Sequence, residues 1–65
     1  MSFENYNIIT NIKDVLWYIE NEDCIESYQQ IKDMNRIFND NLHLIRNKKY
    51  YIEKLDTINR KWYNK

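Results

Sequence analysis

The apolar positions in the middle of the chain recur with the period of an α-helix. A seven-residue spacing links Cys24, Ile31, Phe38, Ile45 and Ile52. The positions four residues after the first three of these are held by Tyr28, Asn35 and Leu42. Because spacings of four and three residues alternate along one side of an α-helix, the pattern predicts an apolar stripe. Other helices of the chain, or a second copy, must cover that stripe.

A separate apolar face precedes it. At about 100° per residue, one side of a helix would carry the aliphatic residues Ile8, Ile9, Ile12, Val15, Leu16 and Ile19. This face predicts a first helix over about residues 3–20, with Ser2 or Asn5 as its N-cap. The polar segment 21–23 then interrupts the pattern. Asp23 and Glu26 have the spacing of a capping box, which predicts a second helix over about residues 24–38.

The last part of the chain carries an apolar stripe that is rotated away from the central one. Its members are Leu44, Tyr51, Leu55, Ile58 and Trp62. The polar cluster at 39–41 separates the two stripes, and Asn is the natural turn residue in a chain without Gly or Pro. We therefore predict a third helix over about residues 42–63, and an all-α three-helix bundle. No internal repeat is evident.

The alternative architecture is a helical hairpin with one long C-terminal helix from Cys24 to about Tyr63. The first helix could not cover so long a stripe, so this version would have to dimerise as a coiled coil. Asn35 would then occupy a core position, where Asn sets register and oligomer state.

The length of 65 residues allows one domain with a small core. Self-association is the expected source of additional stability, so the chain is predicted to form a homo-oligomer. The only cysteine is Cys24 and the only histidine is His43, which argues against an internal disulfide and a zinc site. No cofactor is expected. The longest apolar run, Val15–Ile19, is too short for a signal peptide or a membrane span, which predicts a cytoplasmic protein.

The sequence gives little support for an enzyme. A chain without glycine cannot form a phosphate-binding loop of the P-loop or dinucleotide type. Cys24 and His43 would need mutual contact and a third, orienting group to act as nucleophile and base. The position of Cys24 on the apolar stripe instead predicts a buried core thiol. His43 is expected to be exposed near a turn.

One tryptophan suggests a binding surface. Trp17 falls on the far side of the first helix from the aliphatic face, in the same arc as Phe3 and Tyr6. Either the first helix is sandwiched and this second face is also core, or the face is an exposed aromatic patch of the kind that anchors protein interfaces. The chain is also rich in Asn, Ile, Lys and Tyr, which AT-rich codons encode. Together these features predict a non-enzymatic protein-binding module, an inhibitor or adaptor of a phage, virus or mobile element that acts on a larger host protein. Anti-CRISPR inhibitors are one class of that kind.

The charge distribution supports a second hypothesis. The net charge is zero, but residues 1–40 are acidic and residues 41–65 are basic, so the two parts either attract each other or face different partners. Basic and aromatic residues that could bind nucleic acid are Arg46, Lys48, Lys49, Tyr50, Lys54, Arg60 and Lys61. A structural, self-assembling component is the third hypothesis.

Overall fold

The computed structural model describes residues 8–64, which form three α-helices and, within that range, no β-strand. The helices are α1, Ile12–Glu20; α2, Tyr28–Asp40; and α3, Lys48–Tyr63. A 3-10 turn follows α1 at Glu22–Cys24, and another follows α2 at Leu42–Leu44. Each helix contacts the other two. The predicted all-α three-helix bundle is confirmed, and the break after α2 rules out the single long helix.

The core lies where the three helices meet. Its buried members are Ile9, Val15, Tyr18, Ile19, Ile25, Ile31, Met34, Ile37, Phe38, Ile45, Leu55 and Ile58. The predicted aliphatic face of the first helix supplies Val15 and Ile19, whereas Leu16 is only partly buried. Ile8 was expected on that face but is 74% exposed. The reason is that Ile8 precedes the helix and so does not share its periodicity.

The first helix begins later than the apolar pattern predicts. Asn11 has an extended backbone, with φ −141° and ψ 167°, so the chain before Ile12 is not part of the helix. The Asn11 side-chain oxygen accepts a hydrogen bond from the Asp14 N–H at 3.0 Å, as an N-cap residue does. The caps predicted at Ser2 and Asn5 lie outside the described residues.

The second helix also begins later, at a different capping box. Asp23 lies inside the first 3-10 turn and caps nothing. The N-cap is instead Ser27, whose hydroxyl accepts from the Gln30 N–H. The Gln30 side-chain oxygen accepts in return from the Ser27 N–H at 3.1 Å and also from the Glu26 N–H. Gln30 is buried, so these two backbone donors satisfy an oxygen that would otherwise be costly to bury.

The predicted central stripe is interrupted by the turns. Ile31, Phe38 and Ile45 are core residues, but Cys24 and Ile52 at its two ends are exposed. The chain turns before α2 and again before α3, so the ends of the stripe do not lie on the same side of one continuous helix. The predicted buried thiol at Cys24 is therefore wrong.

Asn35 forms hydrogen bonds with a residue of the same chain rather than with a second copy. Its side-chain amide exchanges two hydrogen bonds with the amide of Asn59 on α3, each at 2.8 Å. Asn35 also donates to the carbonyl of Ile31 at 2.9 Å. A reciprocal amide pair forms only when the two residues lie side by side on neighbouring helices, so it favours one register between α2 and α3. The coiled-coil role expected in the long-helix alternative does not apply.

The two connections between helices have the same design. We call residues 21–27 the first corner and residues 41–47 the second corner. Each opens with an asparagine at the C-cap, Asn21 or Asn41, whose side-chain NH2 donates to the carbonyl four residues earlier, at 2.9 and 2.8 Å. A 3-10 turn follows in both. Each then places an isoleucine, Ile25 or Ile45, in the core with an extended backbone and 7% exposure.

The corners therefore form a structural repeat with a period of twenty residues. Ser27 and Asn47, the N-caps of α2 and α3, occupy equivalent positions in it. The sequence itself shows no internal repeat, and the repeat is one of backbone geometry. The repeat escapes notice in the sequence because only Asn and Ile are identical between the corners, and both are abundant throughout the chain.

Candidate protein-binding surfaces

The acidic first part of the chain and the basic third helix attract each other within the fold. Glu22 of the first corner accepts a hydrogen bond from the Lys61 ammonium at 2.9 Å. Glu20 at the end of α1 accepts from the Tyr50 hydroxyl at 3.0 Å and lies 4.0 Å from the Lys54 ammonium. The hydrogen bond and the charge of Glu22 raise the pKa of Lys61, which remains solvent-exposed. Of the two arrangements expected from the charge distribution, mutual attraction of the acidic and basic parts is therefore present.

This attraction divides the residues proposed for nucleic-acid binding. Lys54 and Lys61 face the glutamates just described, and Arg60 pairs with Asp56 at 3.2 Å. Tyr50 is partly exposed and packs edge-on against Tyr51. A second group remains, formed by Arg46, Lys48 and Lys49. These side chains are exposed and form no ion pair with any residue in the range 8–64.

The start of the third helix adds to this positive group. Asn47 adopts the left-handed conformation, with φ 55° and ψ 34°, and its side chain makes no capping hydrogen bond. The first turn of α3 contains no acidic residue. Because the N-terminus of a helix carries partial positive charge, Lys48 and Lys49 lie where an anionic group would be favoured.

Trp17 lies on the outer side of α1, opposite the buried Val15 and Ile19. It is 51% exposed, and its ring meets the Tyr18 ring edge-on, with centroids 5.0 Å apart. A shallow groove of about 420 Å³ is lined by Ile8, Asp14, Trp17 and Tyr18. We call it the Trp17 groove. Phe3 and Tyr6, the predicted companions of Trp17, lie outside the described residues, so that part of the prediction stays untested.

Other exposed aromatic residues are engaged within the bundle. The Tyr28 hydroxyl donates to the carbonyl of Trp62, and the two rings meet edge-on at 5.3 Å. The Tyr63 ring lies 5.6 Å from that of Tyr28. These contacts connect the start of α2 to the end of α3. They provide a structural reason for the partial exposure of Tyr28 and Tyr63.

A second groove runs between α1 and the second corner. Its volume is about 530 Å³, and its lining consists of Ile12, Leu16, Leu44, Ile45, Arg46, Asn47 and Tyr51. We call it the Leu44 groove. Leu44 is 67% exposed, whereas Ile12, Leu16 and Tyr51 are partly buried along the groove.

Periodicity alone placed Leu44 and Ile8 in the core, and both are exposed. Each lies just outside a helix, Ile8 before Asn11 and Leu44 in a 3-10 turn. A helical wheel assigns a face to such residues although the chain there does not follow the wheel. A signal was nevertheless present, because Leu44 is flanked by His43 and by the polar run that begins at Arg46.

The groups that could support chemistry are dispersed over the surface. Cys24 lies in the first corner and His43 in the second, and both side chains are exposed. Among residues 8–64, no group of three or more His, Cys, Asp or Glu side chains could hold a metal ion. Nor is any helix in this range long and apolar enough to cross a membrane.

Comparison of the chain with protein-family models, with curated proteins and with solved structures finds no match. The function proposed for this chain therefore depends on the chemistry of its own surface.

Proposed function

We propose that this chain is a small, non-enzymatic protein-binding module, and that the Trp17 groove is its contact with a larger partner. The observation that supports this proposal is the exposure of Trp17 and Ile8, at 51% and 74%, which both line the same groove. Keeping so much apolar area in water is unfavourable, and a partner that covers it gains that free energy.

The groove also offers polar recognition. Asp14 lines it beside the two rings, so a partner can combine an apolar contact with a hydrogen bond to a carboxylate. Tryptophan is enriched among the residues that dominate binding energy at protein interfaces. The composition favours a phage, virus or mobile element as source. In that setting we propose a cytoplasmic inhibitor or adaptor of a host protein, a class that includes anti-CRISPR inhibitors.

The test compares Trp17→Ala with Ile52→Ala, a matched truncation of another exposed apolar residue on α3. We expect Trp17→Ala to leave the melting temperature little changed, because a half-exposed residue outside the core contributes little to folding. It should weaken binding to a partner captured from the native host by about 2 kcal/mol or more. Ile52→Ala should leave binding unchanged. Equal binding by the wild type and Trp17→Ala would contradict the proposal.

Self-association through the same surface is the second arm of this test. Sedimentation at micromolar concentration measures it directly, and a melting temperature that rises with protein concentration is its thermodynamic signature. We propose that any homo-oligomer is weakened by Trp17→Ala. A concentration-independent melt together with a monomeric mass would remove the structural self-assembly hypothesis.

Nucleic-acid binding remains the second candidate function, favoured by the exposed Arg46, Lys48 and Lys49. The pairing of Lys54, Lys61 and Arg60 with carboxylates reduces the positive surface available for phosphates. Salt dependence distinguishes the two functions. Affinity that depends on phosphate contacts falls steeply with salt concentration, whereas contact through Trp17 should be nearly insensitive to it.

A further inference from the structure

The two corners provide an internal control for what the fold itself requires. Both use the same asparagine back-bond, the same 3-10 turn and the same buried isoleucine. Leu44 in the second corner occupies the position that Cys24 holds in the first, and Arg46 occupies the position of Glu26. An exposed leucine and an arginine are therefore not needed to build the turn.

The first corner uses its charge inside the molecule. Glu22 contacts Lys61, so this corner is bound to α3 by an ion pair. At the equivalent position the second corner has Leu42, which packs against the core. Its outward residues include Leu44 and Arg46, and Arg46 forms no ion pair with any residue in the described range.

The Leu44 groove is lined by apolar side chains together with one basic side chain, Arg46. The described residues that line it include Arg46 but no acidic residue. Lys48 and Lys49 follow directly after the groove residue Asn47 and are exposed. A ligand that fits this surface must therefore offer an apolar side chain for the groove and negative charge beside it.

We infer that the Leu44 groove is a second docking site, which takes an acidic amphipathic segment of a protein partner. An apolar side chain of that segment lies between Leu16, Leu44 and Tyr51, and its carboxylates face Arg46, Lys48 and Lys49. Charge complementarity selects this occupant. Nucleic acid would satisfy the basic side chains but would leave the aliphatic groove uncovered. The site is separate from the Trp17 groove, so the inference does not depend on the proposed function, and together the two sites make an adaptor.

The probe is a pair of synthetic helical peptides that share one leucine stripe and differ only in having Glu or Lys on the polar face. We expect the Glu peptide to bind isotope-labelled protein and to shift the amide resonances of Leu16, Leu44 and Tyr51. The Lys peptide should bind at least about tenfold more weakly, because Arg46, Lys48 and Lys49 repel its positive charges.

Two variants test the two parts of the site. Leu44→Ser should weaken binding of the Glu peptide by about tenfold or more, because a leucine side chain is no longer buried in the complex. The thermal stability of the free protein should be unchanged. Arg46→Glu combined with Lys49→Glu should reverse the preference between the peptides. The matched control, Ile52→Ala, truncates another exposed aliphatic side chain that does not line the Leu44 groove and should bind both peptides as the wild type does.

Other results would overturn the inference. One is equal binding of the two peptides, or no binding at millimolar concentration. Another is a set of shifts confined to the Trp17 groove. A third is binding of a thymidine oligonucleotide to Arg46 and Lys48 without binding of the Glu peptide, which would assign the basic group to nucleic acid. The first and third results do not bear on the Trp17 groove, whose own test is the capture experiment with Trp17→Ala.

Discussion

The first and second corners show how one backbone design supports two different surfaces. Each corner ends a helix with an asparagine that donates to the carbonyl four residues before it, and each returns the chain to the core through an isoleucine. The first corner then presents Glu22 and Glu26, and the second presents Leu44 and Arg46. The comparison separates the residues that make the turn from those that the turn merely displays.

The difference also shows where the molecule uses its charges. Around the first corner, Glu20 and Glu22 contact Tyr50, Lys54 and Lys61 of the third helix, so these acidic side chains have partners within the fold. The outward residues of the second corner make no comparable contact within residues 8–64. The outward charges of the first corner are thus used within the molecule, and we propose that those of the second corner are used for binding.

The largest effect should come from the residue that both corners share. Ile25→Ala and Ile45→Ala each remove a nearly buried side chain, with 7% exposure in both cases, and leave a cavity in a small core. We expect each to lower the free energy of unfolding by about 2–4 kcal/mol, a large fraction of the stability of a domain this small. Urea unfolding followed by circular dichroism measures both values.

The two losses should differ by no more than about 2 kcal/mol, which is the variation seen for one chemical change at different buried sites. Ile52→Ala, at an exposed aliphatic position of α3, is the control and should change stability by less than about 0.5 kcal/mol. If only one of the two substitutions lowered the free energy of unfolding, the two corners would share their geometry but not their contribution to stability.

The periodic parts of the fold could be predicted from the sequence, and the corners could not. Val15, Ile19, Leu55 and Ile58 are buried as their helical spacing predicts. The helix boundaries were displaced because Asn11 and Ser27, rather than the predicted caps, begin α1 and α2. Several polar residues could accept hydrogen bonds from the first free backbone N–H groups of a helix. Sequence spacing alone does not decide which of them becomes the N-cap.

One of the candidate sites could likewise be predicted from the sequence, and the other could not. The outward position of Trp17 follows from the helical wheel, because Trp17 lies inside α1. Leu44 lies in a 3-10 turn, where a wheel with α-helical spacing gives the wrong face. The Leu44 groove also requires α1 and the second corner to be neighbours in space, and no single-helix pattern contains that information.

A smaller effect should follow from removing the asparagine back-bonds. Asn21→Ala and Asn41→Ala each delete one side-chain donor to a helix carbonyl, so we expect losses of about 0.5–1.5 kcal/mol. The loss should be greater at Asn41, whose hydrogen bond is less exposed to water. Chemical unfolding of both variants gives the values. Asn39→Ala, next to the second corner, is the matched control and should have little effect. A neutral result at both corners would leave the turn dependent on Ile25 and Ile45 alone.

The smallest effect concerns the ion pair that only the first corner makes. The hydrogen bond and the charge of Glu22 raise the pKa of the Lys61 ammonium above its ordinary value of 10.5. A raised lysine pKa means that the folded state holds the proton more tightly than the unfolded state does. The pair therefore stabilises the fold fully below the ordinary value, and this contribution disappears as the pH rises through the folded pKa.

The measurement is an NMR titration of the lysine side chains between about pH 9 and pH 12, which brackets the ordinary lysine pKa. Lys61 of the wild-type protein should titrate above Lys61 of Glu22→Gln, which lacks the charged partner. Glu22→Gln should return Lys61 to the ordinary range, whereas Glu53→Gln, on the same helix as Lys61 but outside the pair, should not. If Lys61 titrates at the same pH in the wild-type protein and in Glu22→Gln, the first corner is not bound to α3 by charge. Its acidic residues would then be as available to partners as the residues of the second corner, and the assignment of the two corners to different roles would fail.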